Sequence, residues 1–493
     1  MDFLRVDVVK MIANTFEACG LPVMPVDELL DKVKDDTEVW DLYAKGFTMG
    51  LNQCEKEKTT ERVMRYKPRN VVELAAFVAA VRPGFKSMLE TYVSRSRFSY
   101  EIPSLDSLLQ TEVIPDSFLM YDEQILRILQ SAGIPPADAY VCIKAIKKKK
   151  ADKVASFRER FEAGFTKRLK EIEGATDSEA ADIVDKIWTI INDAASYMFC
   201  AAHAYSMACD SLYAAYLKAH YPYELYATML KLYTDKGNKD KIALIIDEMK
   251  RYRGILLRPG RFGQDNRDWF IDKENQTISQ ALSSVKFISS QAAEDLYRVG
   301  QQSYSSFVDV LRVLQMDTCL NTRQISVLIG IGYFAQFGGN KRLFDIYKVF
   351  FEGKNKLTKT LVAKSVEKRM ELNRQYEVTL EDGTVPISEQ LRIENEHIGL
   401  CVSQDEGAPP GTYFVIDVDS KYGVKSRLYN VRNGVSGMVK LRKDTFLADP
   451  FAPNQCIVID EGRKKPRFSY KGTQRVAIEG ESDYWITRYH IAN

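Results

Sequence analysis

The sequence lacks the spacings that cysteine and histidine chemistry require. Its eight cysteines (Cys19, Cys54, Cys142, Cys200, Cys209, Cys319, Cys401 and Cys456) are scattered without a C-x-x-C pair, which excludes a zinc ribbon and a disulfide framework and predicts isolated, mostly buried thiols. The four histidines (His203, His220, His397 and His490) fit no compact metal cage, which removes the zinc enzymes. No uninterrupted apolar run reaches the roughly 18 residues of a membrane span. The N-terminus, MDFLRVDVVK, lacks the basic, apolar and small-residue order of a signal peptide. No membrane partner and a cytoplasmic location are therefore expected. An excess of one charge is missing too: 69 Lys+Arg stand against 67 Asp+Glu, a net charge of +2. Against that balance, the segment CIKAIKKKKADK at 142–153 concentrates basic side chains.

At 493 residues with 45% hydrophobic and 11% aromatic content, the chain can bury a substantial core, divided by length among about three or four domains. From about residue 5 to 350 the pattern is helical. Apolar positions recur three and four apart in VDVVKMIANTFEACG and MYDEQILRILQSAG, each closed by a stopping glycine. Breaks fall at Arg82-Pro83-Gly84, Ile134-Pro135-Pro136 and Arg258-Pro259-Gly260. Residues 345–403 read as a charged helical connector. From Gly411 the period changes, and TYFVIDVDS, SRLYNVRNG, GMVKLRK and QCIVIDEG are short runs between turn residues, the pattern of a small antiparallel barrel or sandwich. The fold class is thus mainly α with a small C-terminal β-barrel, OB-like in kind.

Four adjacent lysines repel one another and point all around a helix, so packing cannot be their reason; a solvated helix face or a polyanion can. The next segment, KVASFRERFEAGFTKRLK, continues the basic theme with Lys153, Arg158, Arg160, Lys167, Arg168 and Lys170. Phosphate contacts supply most sequence-independent affinity for nucleic acid. Phe157, Phe161 and Phe165, at helical spacing, read as the buried face rather than a stacking platform.

The order of motifs resembles the C-family replicative DNA polymerases, the bacterial DNA polymerase III alpha subunit, from the end of the palm onward. Met1-Asp2-Phe3-Leu4 resembles the family's F-D-F-L-G-L, GLNQCEKEKTTERVMRYKP (50–68) its F-Q-x-E-S segment and following helix, and VAAVRPG (78–84) its A-L-x-R-P-G. YDEQILRI (121–128) resembles Y-Q-E-Q-V-M-x-I, IKAIKKKK (143–150) resembles R-R-A-M-G-K-K-K, and HAYSMACDSLYAAYLKAHYP (203–222) resembles the H-S-x-A-Y segment ending in L-K-A-H-Y-P. The resemblance implies the end of a palm at 1–5, fingers at 6–235, a helix-hairpin-helix region at 236–345, a helical connector at 346–405 and an OB-like domain at 406–493. Its implied partners are primer-template DNA, a deoxynucleoside triphosphate, and a polypeptide carrying the thumb and palm. A sliding clamp is a further candidate partner, although no clear clamp peptide follows the hairpin region.

Residue by residue, the resemblance places Arg82, Lys144, Lys148, Lys149 and His203 on the nucleotide side. There cations neutralise a triphosphate. Lys147 and Lys150 would contact DNA, as would Lys341 and Arg342 of LIGIGYFAQFGGNKRL (328–343) and Lys465 and Arg467 of RKKPRFSYKG, whose cations flank an expected proline turn. His220 reads as structural, and Gln53 and Glu55 as internal hydrogen-bond partners. Asp2 corresponds to one of three metal-binding aspartates, the other two belonging to an upstream D-x-D. Two Mg2+ ions need several carboxylates to clamp them. The chain's own D-x-D, Asp417-Val418-Asp419, alternates within a strand and reads as a solvated face.

There are departures. Ile143 and Lys144 stand where the family has paired arginines, Lys147 where it has glycine, and Ala201 or Ala202 where it has a basic residue. A lysine is a point charge without arginine's fork. VKFISSQAAEDL (285–296) has none of the glycines that let hairpin amides reach a DNA phosphate. Two functions compete: the C-terminal part of a split replicative polymerase, with a large bacteriophage and hence a bacterial host cytoplasm as a fitting origin, or a non-catalytic DNA-binding accessory protein derived from a polymerase. A helical interaction scaffold is the reading outside both.

Overall fold

The computed structural model describes residues 7–81, 85, 88–111, 115–195, 198–354, 356–358, 361–471 and 474–492, with side chains described except at 195 and 469–481. Asp2 and Arg82 lie outside the described residues. The chain divides into two compact units, Met1–Leu225 and Tyr226–Asn493.

The described part of the first unit is almost wholly helical. Its centre is the helix Ala201–His220, which packs on Val71–Ala80, Asp7–Ala18 and Thr37–Lys45. Alanines at 75, 76, 79 and 80 on one helix and at 204, 208, 214 and 215 on the other are all buried. Small side chains let the two backbones approach closely. A second core gathers Ile125, Ile128, Cys142, Ile146, Phe161, Phe165, Val184 and Trp188. The expected helix stops hold: Gly20 and Gly133, after helices Asp7–Ala18 and Asp122–Ser131, both have positive φ, the left-handed closure that glycine favours.

The second unit begins helical and then departs from the helical expectation. Three strands of three residues, β1 (Leu256–Arg258), β2 (Phe270–Asp272) and β3 (Thr277–Ser279), form a sheet in the order β1-β3-β2. WFID and TIS are short apolar-bearing runs on either side of the turn KENQ, a strand signal too short to stand out among helices. The helices Asn340–Phe351, Ala363–Thr379 and Ile387–His397 share one core with residues 262–334 through Leu343, Phe350, Met370 and Ile393.

The β module is a closed barrel of five strands: β4 (Thr412–Asp419), β5 (Val424–Asn430), β6 (Ser436–Leu441), β7 (Cys456–Lys471) and β8 (Gln474–Ile491), in the order β4-β5-β6-β8-β7. A short helix, Lys443–Ala448, joins β6 to β7, and β6 closes on β8 in parallel. Val415, Val424, Leu428, Val439, Leu441, Ile457 and Ile486 fill it. The mainly α chain with a small OB-like barrel is therefore the observed fold class. The expected proline turn in RKKPRFSYKG is instead continuous strand, with Pro466 opposite Ser482 and a register shift between Pro466 and Phe468. A bulge tolerates proline because the ladder there needs no N–H.

Candidate nucleic-acid interface

The lysine run forms a corner between two helices of the first unit. Helix Pro136–Lys147 starts with proline in its first turn and ends at the C-cap Lys148. Lys149 then adopts φ 51, with the Lys149 amide donating to the Ile146 carbonyl and the Lys150 amide to the Ala145 carbonyl. This is a Schellman closure with lysine where glycine is usual. Helix Ala151–Glu173 begins directly afterwards.

The four lysines are used unequally. Lys147 is paired with Asp122 at 2.5 Å. Lys148, Lys149 and Lys150 are exposed, and among the described residues none of their side chains forms an ion pair. Lys144 sits 4.3 Å over the Tyr140 ring. The three phenylalanines divide as their spacing implies: Phe161 and Phe165 are fully buried, and Phe157 is partly buried against the same core.

His203 is exposed in the first turn of helix Ala201–His220, with its ring 4.9 Å from Phe199. Burial pushes the nearby Asp210 carboxyl up, and the charge of His203 partly offsets this. The helix start is tied to the corner through one short segment. Glu123 accepts from the Ala201 amide at 3.0 Å, and Asp122 beside it holds Lys147. The anionic cap that the dipole of this helix attracts is thus already supplied internally.

Other expectations resolve as structural contacts. His220 Nε2 lies 2.6 Å from Asp36, the N-cap that accepts from the Glu38 and Val39 amides. Glu55 accepts from the Gly50 amide at 3.1 Å. Lys218, two residues before His220, escaped the sequence reading. It is fully buried and donates to the Phe47 and Met49 carbonyls, capping a loop with an ammonium that only its position inside an apolar helix run could have flagged.

In the second unit, Arg342 has its guanidinium turned inward. It donates to the Phe337 carbonyl at 2.6 Å and the Glu377 carbonyl at 3.2 Å. Lys341 is exposed. In the barrel, the two carboxylates of Asp417 and Asp419 are exposed on the same face of β4, accepting from the Arg427 and Lys421 amides respectively. Among the described residues, no group of three or more His, Cys, Asp or Glu could hold a metal ion, so a two-metal site does not fit them.

The β7–β8 hairpin carries a mixed cationic and aromatic cluster. Lys465 lies 4.5 Å over Trp485, and partial desolvation and then repulsion from Arg463 and Arg442 lower its pKa. Asp483 receives Lys440 at 2.6 Å and Arg467 at 2.9 Å. Burial alone would raise its carboxyl, but these two cations hold it below the usual range. Phe468 is 40% exposed and Tyr422, between β4 and β5, 91% exposed, so neither fills the barrel. The Tyr470 side chain lies outside the described residues. Trp485 and Asp483 were missed in sequence because the fifth strand had not been delimited.

Comparison with known proteins shows what the chain is similar to. Residues 22–168 match the finger domain of the bacterial DNA polymerase III alpha subunit. The chain is 28% identical over 385 residues to DNA polymerase III subunit alpha of Campylobacter jejuni, covering 75% of this chain and 31% of that protein. Its counterpart in Staphylococcus epidermidis is 29% identical over 312 residues, 62% of this chain and 28% of the relative. That of Thermus aquaticus is 30% identical over 322 residues, 63% and 25% respectively. The matched region spans less than a third of each relative's length. The resemblance read from the motifs holds: the chain matches a C-terminal, finger-bearing part of DNA polymerase III alpha subunits.

Proposed function

We propose that this chain is the fingers-to-barrel part of a replicative DNA polymerase. In this reading it binds primer-template DNA and an incoming deoxynucleoside triphosphate, and a second polypeptide bearing palm and thumb completes the Mg2+ site to which Asp2 contributes. The observation that carries the reading is the trio Lys148, Lys149 and Lys150, exposed and without acid partners among the described residues, at a helix corner inside the finger-matching segment. A cationic corner of this kind stabilises phosphate charge electrostatically. Lys144, His203 and Arg82 would line the nucleotide side, with Lys147, Lys150, Lys341, Lys465 and Arg467 toward DNA, while Arg342, its guanidinium turned inward, would serve the fold instead. The barrel would take single-stranded template on its mixed cationic and aromatic surface.

A second reading, a non-catalytic DNA-binding accessory protein, is favoured by one feature: Asp122 and Glu123 already satisfy Lys147 and the helix start beside His203. One experiment separates them. The purified chain with Mg2+ should bind primer-template without extending it, and addition of a palm-bearing polypeptide should restore extension. Asp2→Asn should then remove orders of magnitude of rate, as loss of a ligand from a two-metal clamp does. Extension by the chain alone, or an unchanged rate in Asp2→Asn, overturns the first reading. Binding that no palm-bearing polypeptide converts to extension establishes the second.

A further inference from the structure

The turn that lost its glycines has a different construction. Phe287, in VKFISS, has φ 73, a left-handed conformation that a bulky residue rarely adopts. The turn is held there from three sides. The Lys286 amide donates to the His397 carbonyl at 2.9 Å, Gln324 Nε2 donates to the Phe287 carbonyl at 2.8 Å, and Ser289 caps the following helix by accepting from the Ala292 amide. Left-handed backbone so firmly fixed, with an aromatic residue in it, points to the side chain rather than the turn as the reason.

That side chain is presented rather than buried. Phe287 is 46% exposed, although the Arg323 guanidinium lies 3.7 Å over one face of the ring and His397 meets it edge-on at 6.2 Å. That exposure is what these two contacts leave uncovered. Lys286 and Arg323 are exposed, and among the described residues neither forms an ion pair. Burial lowers the His397 pKa, Glu396 opposes this, and Lys286, Arg392 and Arg323 reinforce it, which places three cations and one carboxylate around the same spot. His397 Nδ1 is itself buried without a partner. A half-exposed ring backed by a guanidinium and flanked by an unpaired ammonium suits a base with its phosphate.

We infer that the Lys286–Ser289 turn is a stacking site for an unpaired base of single-stranded DNA, with Phe287 taking the base, Arg323 holding the ring and Lys286 facing the adjoining phosphate. It would replace the phosphate contact through hairpin amides that the missing glycines rule out. The inference rests on the reading of this chain as a DNA-binding polymerase segment.

The test uses the full chain and its Phe287→Gly variant, because glycine accepts the left-handed backbone and the turn keeps its three anchors. Three fluorescent probes of equal length are titrated: a single-stranded oligonucleotide, the same strand with abasic sites throughout, and a blunt duplex. Phe287→Gly should weaken binding to the single strand roughly five- to hundredfold, leave the duplex and the abasic strand unchanged, and melt no lower than wild type. An equal loss on all three probes, or no loss on the single strand, overturns the stacking site. A wild type that binds duplex but no single strand also overturns it while sparing the polymerase reading. A wild type that binds no DNA overturns both.

Discussion

The lysine corner of the first unit and the β7–β8 arm of the second carry similar cations and commit them differently. In the corner, one lysine of four has an acid, Asp122, and Lys148, Lys149 and Lys150 stand exposed where two helices meet. In the arm, Asp483 binds Lys440 and Arg467 together, and Lys465 rests on Trp485. A cation with an internal acceptor mainly orders its own strands. A cation without one gains most from an external anion. The lysine run is thus the more available to phosphate, and the mixed cluster is first a clasp for the hairpin.

The largest expected effect follows from that difference. Replacing Lys148, Lys149 and Lys150 with alanine should lower the slope of log affinity against log salt for primer-template by up to about three, close to one for each released counterion. Arg467→Ala should change that slope much less, because its charge is already compensated by Asp483. Slopes that respond equally to the two changes would break the comparison, and a slope indifferent to the triple variant would return the run to a solvated helix face.

Asp483→Asn probes the clasp from the other side, and two observables should move in opposite directions. Loss of the shared charged acceptor should destabilise the barrel by about 1–3 kcal/mol. It also frees two cations, so affinity for a single-stranded oligonucleotide should rise several-fold. The pH dependence carries the same sign. Because the Asp483 carboxyl is held below its ordinary value, its contribution is fully present above the unfolded value of about 3.9 and is lost as pH falls through the lower, folded value. Melting followed from pH 6 downward should show an acid-dependent loss in wild type that is smaller in Asp483→Asn. Parallel curves would mean that Asp483 does not set it.

Much of this was legible from the letters. The change of period at Gly411 located the barrel, Gly20 and Gly133 located helix stops, and the four-residue spacing of Phe157, Phe161 and Phe165 separated the buried face from the basic one. What was not legible depended on distant partners. Nothing local to Lys147 announces Asp122, nothing near Arg342 announces the Glu377 carbonyl, and Lys218 is explained only by two carbonyls about 170 residues earlier in the chain. Pro466 misled for a related reason. A proline reads as a turn until the opposite strand is known, and Ser482 with the adjacent register shift makes it a bulge.

The smallest effect sharpens the comparison at a single residue. Lys149 closes helix Pro136–Lys147 in the left-handed region, at the position where glycine costs least. Lys149→Gly should therefore relieve backbone strain, offset in part by the greater freedom of glycine in the unfolded chain, for a net gain of about 0.5 kcal/mol in stability. The same change removes one uncompensated cation, so the salt slope for DNA should fall by about one. Stability and binding should thus part company at this residue, as they do where a backbone conformation is kept for what its side chain reaches. Calorimetric melting and a salt titration of the same sample measure both. A variant that is less stable, with its slope intact, would show that Lys149 serves the corner's fold and not its ligand.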